Sequence, residues 1–135
     1  MSNVEDFLTS SQEKDIIEAI RLAEKDTSGE IRVHIEKSTD KDPLERAKEV
    51  FHFLKMDETE KRNGVLFYLA VDDKQFSILG DIGIFKVTPE TFWDSTKDIV
   101  LNEFIKGNFT KGLKLGIMEA GFKLKEFFPY QNNDK

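Results

Sequence analysis

Four polar residues in this chain of 135 residues stand within two positions of a glycine and have side chains suited to chemistry. They are Glu30, Arg62, Asn63 and Asp81. Carboxylate oxygens are the ligands that Mg²⁺ and Ca²⁺ prefer, and an arginine can bind a phosphate or carboxylate through two parallel hydrogen bonds. Glycines at strand ends let the backbone approach a ligand closely. The pattern predicts a site for an anion or a metal-bound phosphate, with Glu30 and Asp81 as cation ligands.

The same residues also have a purely structural interpretation. Arg62 can form an internal ion pair with Glu30 or Asp81, because a partly buried arginine needs such a partner. The glycines would then serve turns alone. Asp72 and Asp73 are a secondary candidate for cation binding, although aspartate is also a favoured turn residue. The sequence leaves both interpretations open.

Standard catalytic signatures are absent from the sequence. It contains no phosphate-binding loop, dinucleotide-binding glycine motif, zinc-protease helix or nucleophile elbow. The two histidines, His34 and His52, fall on different predicted elements, so they lack metal-binding spacing. The chain has no cysteine, which excludes zinc ribbons and thiol nucleophiles. Sequence motifs therefore do not indicate which reaction, if any, the protein catalyses.

Length and charge bound the remaining function classes. The length predicts one domain over residues 1–129, and the aperiodic residues 130–135 are expected to form a disordered tail. A net charge of −6 makes nucleic acid a poor partner, since binding to phosphates needs clustered lysine and arginine. The longest apolar run, 65–71, is far shorter than the roughly 20 residues of a membrane span. Without a signal pattern, the expected location is the cytoplasm.

Periodicity predicts an α-β-α-β-β-α-α order. The capping box Ser10-x-x-Glu13 predicts a first helix over 11–25, and the pair Asp42-Pro43 predicts the start of the second helix. The strands are predicted at 30–36, 64–71 and 75–80. The stretch 81–87 fits a loop or a short strand, whereas helices are expected over 88–106, with a break near Asp94, and over 109–127. In the last helix, the buried stripe is predicted to include Leu113, Ile117, Ala120 and Leu124, and nearby glycines are expected to allow close packing.

This order predicts a small mixed α/β sheet with helices on both faces. The first two strands should be parallel with a right-handed crossover, and the last two should form an antiparallel hairpin around Asp73. The apolar strand 64–71 should be central. Pairing outward from the turn places Gly64 beside Ile82 and Val65 beside Asp81. Glu30, Arg62 and Asp81 should therefore meet at one end of the sheet, which we call the rim.

The opposite end is expected to collect Glu36, Asp72 and Asp73. The first strand also has a polar face, made by Arg32, His34 and Glu36. A polar face on a strand indicates either an edge position or a cleft over the strand.

Several segments together resemble the TPM domain family, also called the TPM phosphatase family, over about residues 7–129. They include T-S-G-E-I-R-V at 27–33, R-N-G-V-L at 62–66 and G-D-x-G at 80–83. The resemblance implies an α/β sandwich, a phosphatase-like activity with a bound divalent cation, and helper roles in assembling or repairing membrane complexes. The motif residues it implies are Glu30, Arg62, Asn63 and Asp81.

Such relatives usually carry a signal sequence and often a membrane anchor, and this sequence shows neither, so a soluble member is expected. The expected function is a binding or assembly-accessory module with an unknown protein partner. The alternative is a weak phosphatase that depends on a divalent metal, Ca²⁺ or Mg²⁺, and acts on phosphomonoesters.

Overall fold

A three-stranded mixed sheet forms the centre of the computed structural model, which describes residues 7–130. The strands are β1 (Glu30–Glu36), β2 (Gly64–Ala70) and β3 (Gln75–Gly80), in the spatial order β1-β2-β3. β1 runs parallel to β2, and β3 runs antiparallel to it. All seven residues of β2 are buried, as expected of a central strand covered on both faces. The predicted sheet and its central strand are confirmed.

Helices cover both faces of the sheet. Within residues 7–130 they are α1 (Ser10–Glu24), α2 (Pro43–Phe53), a 3₁₀ turn (Met56–Glu58), α3 (Ile82–Phe85), α4 (Asp94–Ile105) and α5 (Phe109–Phe127). α1, α4 and α5 pack on the face that carries Val65, Phe67 and Leu69. α2 packs on the opposite face. The predicted α/β architecture is therefore confirmed, and none of these helices is long and apolar enough to cross a membrane.

The packing of α5 agrees with its sequence pattern. Leu113, Ile117, Ala120 and Leu124 are completely buried. Gly121 lies against the backbone of Ala23 in α1, so a glycine permits the close approach of the two helices. The predicted role of this glycine in close helix packing is confirmed.

Three predicted boundaries are wrong in detail. The capping box of α1 uses Thr9 and Gln12, one position before the predicted Ser10 and Glu13, because threonine and glutamine offer the same pair of hydrogen bonds. The stretch after β3 forms the short helix α3, since the side chain of Asp81 accepts a hydrogen bond from the Ile82 N–H. α4 begins at Asp94, and the residues before it form turns.

The register of the hairpin differs from the prediction by one residue. Val65 pairs with Gly80, and the Asp81 N–H donates to the Gly64 carbonyl at 2.9 Å. The cause is the turn, which has two central residues, Asp72 and Asp73, and is closed by a hydrogen bond from the Lys74 N–H to the Val71 carbonyl.

The structure describes residues 7–129 of the predicted domain 1–129 and the first residue of the predicted tail 130–135. Within the predicted tail, the Tyr130 N–H donates to the Asp26 carbonyl at 3.0 Å. Residues 131–135 lie outside the described residues.

Candidate functional site

The strand register brings the predicted rim residues to one end of the sheet. Glu30 pairs with Gly64 from one side of β2, and Asp81 bonds to Gly64 from the other side. Arg62 and Asn63 directly precede Gly64 in the chain. Because neighbouring strands lie about 4.8 Å apart, the backbones of Glu30 and Asp81 are separated by roughly 10 Å. The four residues share a rim, but the two carboxylates approach it from opposite sides.

Arg62 and Asp81 form a salt bridge with two hydrogen bonds. Arg62 Nε lies 2.8 Å from Asp81 Oδ2, and Arg62 Nη2 lies 3.1 Å from Oδ1. Asp81 is buried, and its Oδ1 also accepts a hydrogen bond from the Ile82 N–H at 2.7 Å. The hydrogen bond to Asp81 raises the pKa of the Arg62 guanidinium, which stays charged. Of the two partners predicted for Arg62, the structure therefore has Asp81.

The other two rim residues also make internal hydrogen bonds. Arg32 Nε donates to Glu30 Oε2 at 3.1 Å, within the same strand. Asn63 is buried, its side-chain amide donates to Ser28 Oγ at 3.1 Å, and its backbone N–H donates to Thr59 Oγ1 at 3.2 Å. Asn63 therefore ties together the segments that precede β1 and β2.

The arrangement of Glu30 and Asp81 lacks the convergence that a Ca²⁺ or Mg²⁺ site needs. Each carboxylate faces an arginine, and both oxygens of Asp81 already accept hydrogen bonds. Among residues 7–130, no three Asp, Glu or His side chains gather as metal ligands. Such cations are normally bound by six or more oxygens. Cation binding at the rim stays a prediction.

A groove of about 200 Å³ lies between α2 and β3 beside the salt bridge. We call it the α2–β3 groove, and its lining residues are Lys48, Phe51, His52, Asp57, Arg62, Leu79, Gly80 and Asp81. His52 Nδ1 lies 2.8 Å from Asp57 Oδ2, and this hydrogen bond raises the pKa of His52 above its usual value. Asp57 Oδ1 is buried and has no hydrogen-bond partner within the described part of the chain.

No sequence pattern indicates this histidine–aspartate pair. The chain reverses after α2 at Lys55, which has the left-handed φ of 60° and is not a glycine. That turn folds Asp57 back against the end of α2, and helical periodicity does not report such a reversal.

The opposite end of the sheet contains a second group of polar residues around Glu36. Arg46 Nε and Nη2 donate to its two oxygens at 2.9 and 3.0 Å, the Tyr68 hydroxyl donates to Oε2, and His34 Nε2 lies 3.3 Å from Oε1. Burial opposes ionisation of Glu36, but the hydrogen bonds from Arg46, Tyr68 and His34 outweigh it and lower the pKa to about 2. These contacts stabilise the polar face of β1, which lies at the edge of the sheet.

The secondary candidates, Asp72 and Asp73, lie in the hairpin turn at this end. Asp73 Oδ2 accepts a hydrogen bond from the Thr39 N–H at 2.8 Å, and the Asp72 N–H donates to the Lys37 carbonyl at 2.7 Å. Both residues thus hold the loop after β1 against the turn. Their arrangement serves the turn, and binding of a cation there stays a prediction.

The fold and the rim define a small α/β domain with one parallel crossover, one hairpin and an arginine–aspartate pair at the rim. A profile of the TPM domain matches residues 1–121. The chain belongs to the TPM domain family.

Solved structures share this fold. The BA42 protein from the psychrophilic bacterium Bizionia argentinensis, solved by NMR, is 52% identical, with a TM-score of 0.91 over 100% of this chain and 93% of that one. The N-terminal domain of cg2496 from Corynebacterium glutamicum is 16% identical, with a TM-score of 0.70 over 88% of this chain and 75% of that one. The N-terminal domain of a protein from P. gingivalis is 19% identical, with a TM-score of 0.72 over 90% of this chain and 78% of that one. The last two show the fold alone, and no curated protein matches the chain.

Proposed function

We propose that this domain is a binding or assembly-accessory module for a protein partner. The observation that carries the proposal is the salt bridge at the rim. Arg62 and Asp81 satisfy each other through two hydrogen bonds, and Glu30 is engaged by Arg32. A catalytic rim would instead present convergent carboxylate oxygens to a substrate or a cation. The engagement of these residues with one another supports a structural role for the rim.

Exposed apolar side chains support a role in binding. Within residues 7–130, Phe53, Phe85, Ile105 and Phe122 are each exposed by more than 60%. Large aromatic side chains supply much of the binding energy where proteins meet. These residues lie on different elements, so they do not define one surface by themselves.

A second candidate function is weak hydrolysis of phosphomonoesters. The observation that favours it is the α2–β3 groove, which Arg62 and the His52–Asp57 pair both line. Arg62 Nη1 makes no hydrogen bond to the described residues. An arginine can hold a phosphate, and an imidazole oriented by a carboxylate can transfer a proton.

Two measurements on one preparation separate these functions. The first is hydrolysis of p-nitrophenyl phosphate with and without Mg²⁺ or Ca²⁺, on wild type, His52→Gln and Asp81→Asn. The second is calorimetric titration of each cation into wild type and Asp81→Asn, with a thermal melt of both. We expect no hydrolysis above background, no cation heat, and a lower melting temperature for Asp81→Asn. Cation-dependent hydrolysis that His52→Gln or Asp81→Asn abolishes would overturn the binding-module proposal.

A further inference from the structure

The two edges of the sheet are protected unequally. β1 carries the charged or polar side chains Arg32, His34 and Glu36 on one face, and the Ile31 N–H donates to Glu24 Oε2 at 2.7 Å. Charged side chains and capped amides are devices by which natural edge strands avoid pairing with other chains. The β1 edge is therefore protected against an added strand.

The β3 edge lacks these devices. Its sequence, Gln75–Gly80, contains no charged residue. Because the Asp81 N–H bonds to Gly64, the alternation of an antiparallel ladder directs the backbone groups of Phe76, Ile78 and Gly80 away from β2. Within the part of the chain that the structure describes, no strand and no other backbone group pairs with this outer side. Three residues thus present N–H and C=O groups in the pattern that a further strand requires.

The α2–β3 groove lies directly beside this edge. Leu79 and Gly80 of β3 form one side of it, and Lys48 and His52 of α2 form the other. A side chain from a strand added next to β3 would enter the groove on the α2 face of the sheet.

The charges in the groove favour an acidic side chain. Arg62 and Asp81 neutralise each other, and Asp57 is bonded to His52. Lys48 has one ion pair among the described residues, at 3.4 Å to the exposed Glu45 on its own helix. When His52 is protonated, the groove has three cationic groups, Lys48, His52 and Arg62, against two carboxylates, Asp57 and Asp81, so its net charge is +1 beside an uncharged strand edge.

We propose that the β3 edge binds an extended segment of a partner protein as a fourth strand, with an acidic side chain of that segment lying in the α2–β3 groove near Lys48. This inference rests on the proposed function and names the kind of partner. Strand addition obtains affinity from main-chain hydrogen bonds and specificity from pockets for alternate side chains, and the β3 edge offers both. A lipid or a nucleic acid has no peptide backbone to pair with Phe76, Ile78 and Gly80.

The test uses peptides selected on the whole chain from a random twelve-residue library displayed on phage. Selected peptides are synthesised, and binding is followed by amide chemical shifts and amide hydrogen exchange. We expect enrichment of acidic peptides, and at least tenfold slower exchange at Phe76, Ile78 and Gly80 when they bind. Lys48→Glu should weaken acidic peptides at least tenfold, whereas Lys14→Glu, an exposed change on α1, should leave affinity unchanged.

Backbone methylation of the peptide provides the decisive control. Two versions are made, each N-methylated at one alternate set of amides, because a strand turns one set toward its neighbour. One version should lose binding and the other should keep it. Equal binding of both versions would overturn the proposal, because side chains alone would then carry the affinity.

Other results would also overturn it. These are failure to select any peptide, amide chemical-shift changes at Leu115, Met118 and Phe122 of α5, whose side chains are exposed, instead of at β3, or a dimer in sedimentation that pairs β3 with a second copy. The broader proposal, that the domain is a binding module, is tested separately. It fails if the same preparation hydrolyses phosphomonoesters. A domain that is inert towards phosphomonoesters and binds no peptide at β3 would refute this inference alone.

Discussion

Replacing Gly121 by alanine tests how closely α1 and α5 pack. The added methyl group would lie 2.6 Å from the carbonyl oxygen of Ala23 and 2.7 Å from its Cβ. Ordinary contacts of such a carbon lie at 3.4–4 Å, so the space is about 0.8 Å too short. Since the obstacle is backbone, it cannot rotate aside, and the two helices must separate.

Two opposing effects set the magnitude. Alanine is better than glycine in a helix interior by about 1 kcal/mol. Forcing an extra methyl group into a packed core costs about 1–3 kcal/mol, and a rigid obstacle favours the upper part of that range. We therefore expect Gly121→Ala to lower the free energy of unfolding by about 1–2 kcal/mol, which corresponds to a fall in melting temperature of about 3–8 °C.

Urea unfolding and thermal melts followed by circular dichroism measure this loss. Gly112→Ala is a graded comparison, because its methyl group would lie 3.0 Å from the Val100 carbonyl oxygen and should cost less. A melting temperature of Gly121→Ala equal to or above that of wild type would refute the reasoning, since helix propensity would then prevail and the two helices could not lie in this contact.

Three further predictions concern the core and two ionisable groups. Ile117→Ala should cost about 2–5 kcal/mol in urea unfolding, because Ile117 is completely buried and the cavity can collapse only in part; a loss below about 0.5 kcal/mol would place it at the surface. NMR titration of His52 should give a pKa above 6.5 that falls in Asp57→Asn, so the stabilisation from this pair is present at low pH and disappears as pH rises through that pKa. An unchanged pKa in Asp57→Asn would contradict the pairing. Glu36 has a folded pKa of about 2, below its ordinary value of 4.5, so the stability it contributes should be lost as pH falls from about 4.5 to 2, and Glu36→Gln should lack this pH dependence in unfolding experiments. A parallel pH profile for wild type and variant would show that the Glu36 interactions do not stabilise the fold.

Local patterns were sufficient to predict most of the fold. The alternation of 30–36, the continuous apolar run of β2 and the stripe of α5 each report which side chains are buried, because burial of apolar surface dominates folding. The pair Asp42-Pro43 predicted the start of α2, since both residues act within one helical turn. The convergence of Glu30, Arg62, Asn63 and Asp81 on one rim followed from the strand order, which the α-β-α-β-β pattern restricts to few alternatives.

The tertiary structure decided which of these groups face one another. Arg62 pairs with Asp81, and Glu30 pairs with Arg32, because the two carboxylates approach β2 from opposite sides and the turn at 71–74 sets the hairpin register. Sequence spacing alone does not select these contacts, since Arg62 and Asp81 are 19 positions apart and the long arginine side chains can adopt several rotamers. The sequence by itself determined the sheet, its central strand and the composition of the rim. The His52–Asp57 pair and the unpaired edge of β3 arise only when the chain reversal at Lys55 and the order of the strands place those residues in space.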